Sequence, residues 1–184
     1  MKKNYLITTG GSGGHVIPAT ILHDHLSKEA NVHLSIDRRG LKFLDKTNYQ
    51  YEIIDTPRFS NIFFLPLNLI IISFLTFKSF HLPQTKKIHK LFSPPRYPLI
   101  LAAKLLKLEI FLIEPNQVLG RANRYFLSSC KKIFCYNKQV KNFPESFKYK
   151  IITINPLVKK DIYELNSPNI FNNELNLLIV GGSQ

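Results

Sequence analysis

The stretch TTGGSGGHVIPA, residues 8–19, places glycine at 10, 11, 13 and 14 and a histidine directly after them, at 15. Glycines this dense let the backbone approach a ligand closely. They follow a short apolar run and precede a helical pattern, so their N–H groups and the positive end of the helix would point at an anion such as a diphosphate. The spacing is neither the dinucleotide fingerprint nor a Walker loop, which would have lysine where His15 stands. An imidazole titrates near neutral pH, which suits His15 to general-base work beside phosphates. A tight strand-to-helix turn with an incidental histidine fits the same spacing, and the spacing alone leaves both readings open. Less chemistry is expected elsewhere. His23 and His25, two apart on a helix, point in different directions and cannot face one metal, so surface positions are expected. Arg38-Arg39-Gly40 ends a strand near the same cleft and reads either as an attractor of phosphate or as a solvated turn.

The elements that must position these residues follow from periodicity. Apolar runs at Tyr5–Thr8, Val32–Ile36, Tyr51–Ile54, Glu109–Ile113, Lys132–Tyr136 and Tyr149–Ile154 read as strands, and Val16–Lys28 and Leu99–Leu108 read as helices. Pro18 fits the first turn of the first helix. Alternation of this kind predicts an α/β fold, a doubly wound parallel sheet whose ligands bind beyond the carboxyl ends of the strands. After an Asn-rich stretch, LNSPNIFNNELN, the run Leu175–Val180 and LLIVGGSQ repeat the grammar of YLITTGGSGG. The expected organisation is a Rossmann-like domain over residues 1–160, then a linker and only the first strand of a second Rossmann-like domain over 161–184.

The chain has 184 residues, enough for one ordinary domain, with 45% hydrophobic and 20% charged residues, which argues against disorder. Lys and Arg number 25 against 12 Asp and Glu, a net charge of +13. Such a surface seeks anions. Nucleic acid is not the expected partner, because no recognition motif accompanies the charge. Cys130 and Cys135 are too few for a disulfide scaffold and poorly spaced for zinc, and they read as reduced, part-buried thiols in a cytoplasm. No secretory signal precedes Tyr5–Thr9, and no metal or cofactor is expected.

Four segments in order, GGSGGHVIPA, EPNQVLGRANRYF, NPLVKKDI and LLIVGGSQ, resemble the MurG family, the bacterial GlcNAc transferases of peptidoglycan synthesis. The resemblance extends over essentially the whole chain. It implies a GT-B glycosyltransferase whose N-terminal domain binds the lipid-linked acceptor and whose C-terminal domain binds most of UDP-GlcNAc. On it, Ser12, Gly13, Gly14 and His15 line the cleft, Ser12 standing for the family's threonine. Glu114 and Asn116 match the family's HEQN, whose His and Gln are replaced by Ile113 and Pro115. Asn123 matches an asparagine after the following glycine, and Ser183 matches a donor-contacting serine. Either His15 or Glu114 is then the base. Two departures stand out. The arginine of the family's GNPVR is missing from Asn155-Pro156-Leu157-Val158, with Lys159 nearby. A second glycine loop is replaced by KKIHKLFSPPRYPLILAA, where Ser93, Arg96 and Tyr97 are left to contact an anion and the preceding strand reads as a basic run, Lys86, Lys87, His89 and Lys90.

The segment IFFLPLNLIIISFLTF, residues 62–77, is uncharged but short of the roughly twenty residues a spanning helix needs. It reads either as a buried helix or as one lying on a bilayer, with Ile62, Phe63, Phe64, Leu65, Ile70, Ile71 and Phe74 toward the lipid and Lys78 at anionic headgroups. The resemblance favours the second, a peripheral site on the cytoplasmic face of the bacterial inner membrane. The function it implies is transfer of GlcNAc from UDP-GlcNAc to undecaprenyl-diphosphate-linked MurNAc-pentapeptide in cell wall synthesis, hence in cell shape and division. These 184 residues are expected to be inactive alone. The alternative is a non-catalytic or split-subunit acceptor domain that works with a separate donor-binding chain.

Overall fold

The computed structural model describes residues 2–55, 87–93, 97–159 and 162. Seven strands form one sheet: β1 (Asn4–Thr9), β2 (Asn31–Ile36), β3 (Tyr51–Ile53), β4 (Lys90–Ser93), β5 (Glu109–Glu114), β6 (Lys132–Cys135) and β7 (Ile151–Thr153). Their order is β3-β2-β1-β4-β5-β6-β7, and every pair is parallel. Helices α1 (Gly13–Leu26), α2 (Tyr97–Leu105) and α3 (Arg121–Phe126) connect strands, with 3-10 turns at Leu41–Phe43 and Glu145–Lys150. This is the doubly wound sheet that alternating strands and helices require.

Strands covered on both faces need apolar side chains in both directions, and these strands have them. Leu6, Leu91, Ile110, Leu112 and Ile133 pack with Leu99, Ile100 and Ala103 of α2 and Phe126 of α3. Ile7, Leu34 and Phe92 pack with Val16 and Ala19 of α1 on the other side. Each fully buried aliphatic contributes about 1.5–3 kcal/mol relative to exposure. Order changes direction between β1 and β4, so their carboxyl ends flank the crevice where such sheets bind ligands.

The six strands expected between residues 5 and 154 are present, with ends shifted by one or a few residues: the run at Tyr149–Ile154 begins as a 3-10 turn and is extended only over Ile151–Thr153. Two expectations are corrected. The sequence sets a basic run where a strand should precede Ser93, yet β4 lies in the middle of the sheet. Leu91 and Phe92 are buried, and Lys90 places its ammonium 5.3 Å from the Tyr5 ring and 5.5 Å from the Phe111 ring, with Glu109 at 3.8 Å. A lysine stem lies against apolar surface while its head reaches the amino-terminal end of the strands, so its charge does not exclude a strand. The first helix starts at Gly13 rather than Val16, which puts Pro18 in the second turn. Helix α3 was not expected. The segment 62–78, Arg96, the run 175–180 and Ser183 lie outside the described residues, and among the described residues no helix is long and apolar enough to cross a membrane.

Cys130 and Cys135 are free thiols, 3% and 0% exposed, so they are fully rather than partly buried. Burial pushes Cys135 up to about 12, with the charge of Glu114 adding to it, and raises Cys130 against the opposing charge of Lys150. Above the ordinary thiol pKa of about 8.5, the unfolded chain releases protons that the folded chain retains. Stability is therefore present below that pH and falls as pH rises, by at most about 1.4 kcal/mol per unit for each thiol. Urea midpoints measured from pH 8 to 10.5 should decline, and decline less steeply in Cys135→Ala. An unchanged slope in that variant would assign the titration to other groups.

Candidate active site

The loop from β1 to α1 is built on backbone that only glycine tolerates well: Gly10 has φ 143° and Gly11 φ 81°. A side chain from the end of β2 holds it. Asp37, 1% exposed, accepts the Gly11 N–H at 2.9 Å and the Gly40 N–H at 2.9 Å on Oδ1. Its Oδ2 receives Arg39 Nε at 2.8 Å and Nη2 at 2.6 Å. Gly40 backs the loop so closely that a Cβ there would lie 2.7 Å from the Gly10 Cα. Extended Ser12 then caps α1 without using its hydroxyl, and the helix opens on Gly13, Gly14 and His15. Gly13 and Gly14, in the first turn, have no carbonyl behind them within the helix to accept their N–H groups. Thr9 fixes the His15 main chain by donating its hydroxyl to the His15 carbonyl at 2.8 Å.

On the other side of the crevice, Glu114 ends β5. Its carboxylate is 2% exposed and fully engaged: Oε1 accepts Asn116 N at 3.2 Å and Nδ2 at 2.9 Å, while Oε2 accepts Gly120 N at 2.7 Å and Asn123 Nδ2 at 3.0 Å. Gly120 sits so close that a Cβ would stand 3.1 Å from Oε2. Asn123, 0% exposed, also donates to the Ile113 carbonyl at 3.1 Å. One buried acid thus folds the 115–120 loop around itself and orients Asn116.

A pocket of about 370 Å³ lies between these two loops, lined by Ser12, Gly13, Gly14, His15 and Asn116 together with Pro115, Tyr136 and Leu157. His15 is half-buried and its Nδ1 is enclosed. Five of the residues expected at the site therefore meet. Glu114 and Asn123 are buried and do not line the pocket; Glu114 holds Asn116, which does. Ser93 is 0% exposed and is likewise not presented to an anion. Arg39 is held by Asp37, while Arg38, 78% exposed, pairs with Asp55 at 3.3 Å on the solvated side of the turn. His23 packs edge-on to Tyr49 at 5.2 Å rather than standing on the surface; His25 is exposed. Asp37, Tyr136 and Leu157 were not anticipated. Tyr136, raised by burial, accepts the Leu157 N–H at 3.3 Å and closes one side of the pocket. Among the described residues no group of His, Cys, Asp and Glu gathers as a metal ion would require.

Both loops that line the pocket lie within the part of the chain that matches a known domain. A model of the Glycosyltransferase family 28 N-terminal domain matches residues 5–135, from β1 to the end of β6. The chain belongs to glycosyltransferase family 28. A curated relative from Pelagibacter ubique, named UDP-N-acetylglucosamine–N-acetylmuramyl-(pentapeptide) pyrophosphoryl-undecaprenol N-acetylglucosamine transferase, is 46% identical over 188 residues, covering 100% of this chain and 53% of the relative. A relative of the same name from Rickettsia prowazekii is 37% identical over 171 residues, covering 90% and 43%. The chain spans about half the length of the curated relatives it matches. Among solved structures, MurG of Acinetobacter baumannii superposes with a TM-score of 0.68 at 22% identity, covering 91% of this chain and 50% of that one. S. aureus MnaA, solved with UDP, gives 0.62 at 12% identity, covering 82% and 43%. At these identities both structures show that the fold is shared.

Proposed function

We propose that this family 28 chain is the acceptor-binding half of an inverting glycosyltransferase that moves GlcNAc from UDP-GlcNAc to the C4 hydroxyl of undecaprenyl-diphosphate-linked MurNAc-pentapeptide. The observation that carries the reading is the pocket where the first-turn N–H groups of Gly13 and Gly14, Ser12, His15 and Asn116 converge. The names of the Pelagibacter and Rickettsia relatives supply the substrates. In this mechanism the acceptor diphosphate rests against the start of α1, where unfilled N–H groups and the helix dipole favour negative charge. His15 removes the acceptor's hydroxyl proton as that oxygen bonds to the anomeric carbon and the bond to UDP breaks, which inverts the configuration. Asn116 orients the sugar. Glu114 and Asn123, with no atom in the pocket, act through Asn116, so the base is His15. Residues 1–160 form the acceptor domain, 161–184 lead toward the donor-binding part, and Ser183 contacts the donor there. Residues 62–77 and Lys78 meet the anionic cytoplasmic leaflet, where the lipid-linked acceptor resides.

The test pairs the chain with the C-terminal half of the Pelagibacter relative and measures transfer of labelled GlcNAc to the lipid-linked acceptor in anionic vesicles. Transfer that needs both halves supports the reading. Absence of transfer from halves that fold, associate and bind vesicles overturns it.

A further inference from the structure

The loop that faces the proposed diphosphate is backed by a buried carboxylate, and this poses an electrostatic problem. Asp37 sits directly behind Gly11, its Oδ1 occupied by two backbone N–H groups, and a negative charge there opposes an incoming anion. Its Oδ2 receives both Nε and Nη2 of Arg39, whose side chain is 37% exposed while that of Asp37 is 1% exposed. We infer that Asp37 and Arg39 are a positioning pair for the anion site. Asp37 fixes Gly10 and Gly11 in their left-handed backbone and so aims the N–H groups of Gly13 and Gly14, and Arg39 cancels the charge that this fixation would otherwise place under the ligand. Asn in place of Asp37 keeps one acceptor oxygen for Gly11 and Gly40 but turns an amide donor toward Arg39, so the two residues are matched as a pair. The inference rests on the diphosphate reading and adds two residues to the site.

The experiment titrates the chain with inorganic pyrophosphate, following the amide signals of residues 10–15 by NMR, with thermal melting of every variant alongside. Arg39→Ala leaves an uncompensated carboxylate behind the loop and should weaken pyrophosphate binding about tenfold. Asp37→Asn combined with Arg39→Ala removes both charges and should restore affinity to within about twofold of the parent. A merely structural role predicts the reverse order, since the double variant has lost more bonds than the single one. Where Arg39→Ala does not fold, Arg39→Lys and Arg39→Gln make the same comparison: the lysine variant should bind like the parent and the glutamine variant should bind weakly. Parent binding with Arg39→Ala unchanged, or no recovery in a folded double variant, overturns the inference and leaves the site reading in place. Absence of binding by the parent removes the diphosphate reading and this inference together.

Discussion

Replacing His15 by alanine is expected to lower kcat of the paired halves by about 10²–10⁴, the usual contribution of a positioned proton acceptor. The melting temperature should stay near that of the parent. His15 is the third residue of α1, its backbone is held by Ser12 and Thr9, and alanine is the better helix former. Loss of the half-buried ring should cost no more than about 1 kcal/mol. His15→Gln sharpens the test, because an amide fills similar space and keeps a hydrogen bond but takes up no proton. If His15 serves as the base, both variants lose kcat with little change in KM for the acceptor. If it only binds the diphosphate, His15→Gln recovers most of the rate and the loss appears in KM. Full activity in His15→Ala would move the base elsewhere.

The parts of this site that were legible in the sequence are those written in adjacent residues. Four glycines and a histidine between an apolar run and a helical pattern specify a turn at a sheet's carboxyl edge, and the turn is there. The start of α1 was misplaced because glycine is a poor helix former and Pro18 resembles a first-turn proline, whereas the unfilled N–H groups of Gly13 and Gly14 begin the helix earlier. Strand β4 was hidden by lysines: four residues carry too little alternation to announce a central strand, and the Tyr5 and Phe111 rings together with Glu109 explain why Lys90 is tolerated there. Asp37 was not legible at all. Its partner Gly11 is 26 residues upstream, and although the end of the second strand is expected near the cleft, which of its side chains stands behind the first loop depends on the pairing of β1 with β2. Glu114 was found by resemblance, but the direction of its carboxylate, away from the pocket, depends on how the 115–120 loop closes over it.

That direction sets the second large effect. Glu114→Ala removes the acceptor of four hydrogen bonds and leaves the Gly120 N–H and the Asn123 amide buried without it, each worth about 1–3 kcal/mol. A total near 3 kcal/mol is expected, because Asn116 reaches the pocket and recovers part of its loss from water. For a chain of this size that lowers the melting temperature by roughly 6–12 °C. Activity should fall as well, since Asn116 loses its anchor beside the acceptor. The conservative variant separates the two roles proposed for this residue. A general base replaced by its amide keeps the fold and loses the rate. In Glu114→Gln, however, both carboxylate oxygens already accept from donors, so whichever side receives the new NH₂ group faces two N–H groups with no acceptor. Glu114→Gln should therefore melt several degrees below the parent, and its residual kcat should exceed that of His15→Gln. A glutamine variant that melts with the parent and is as inactive as His15→Gln would return Glu114 to the role of base and require its carboxylate to swing out of the loop during the reaction.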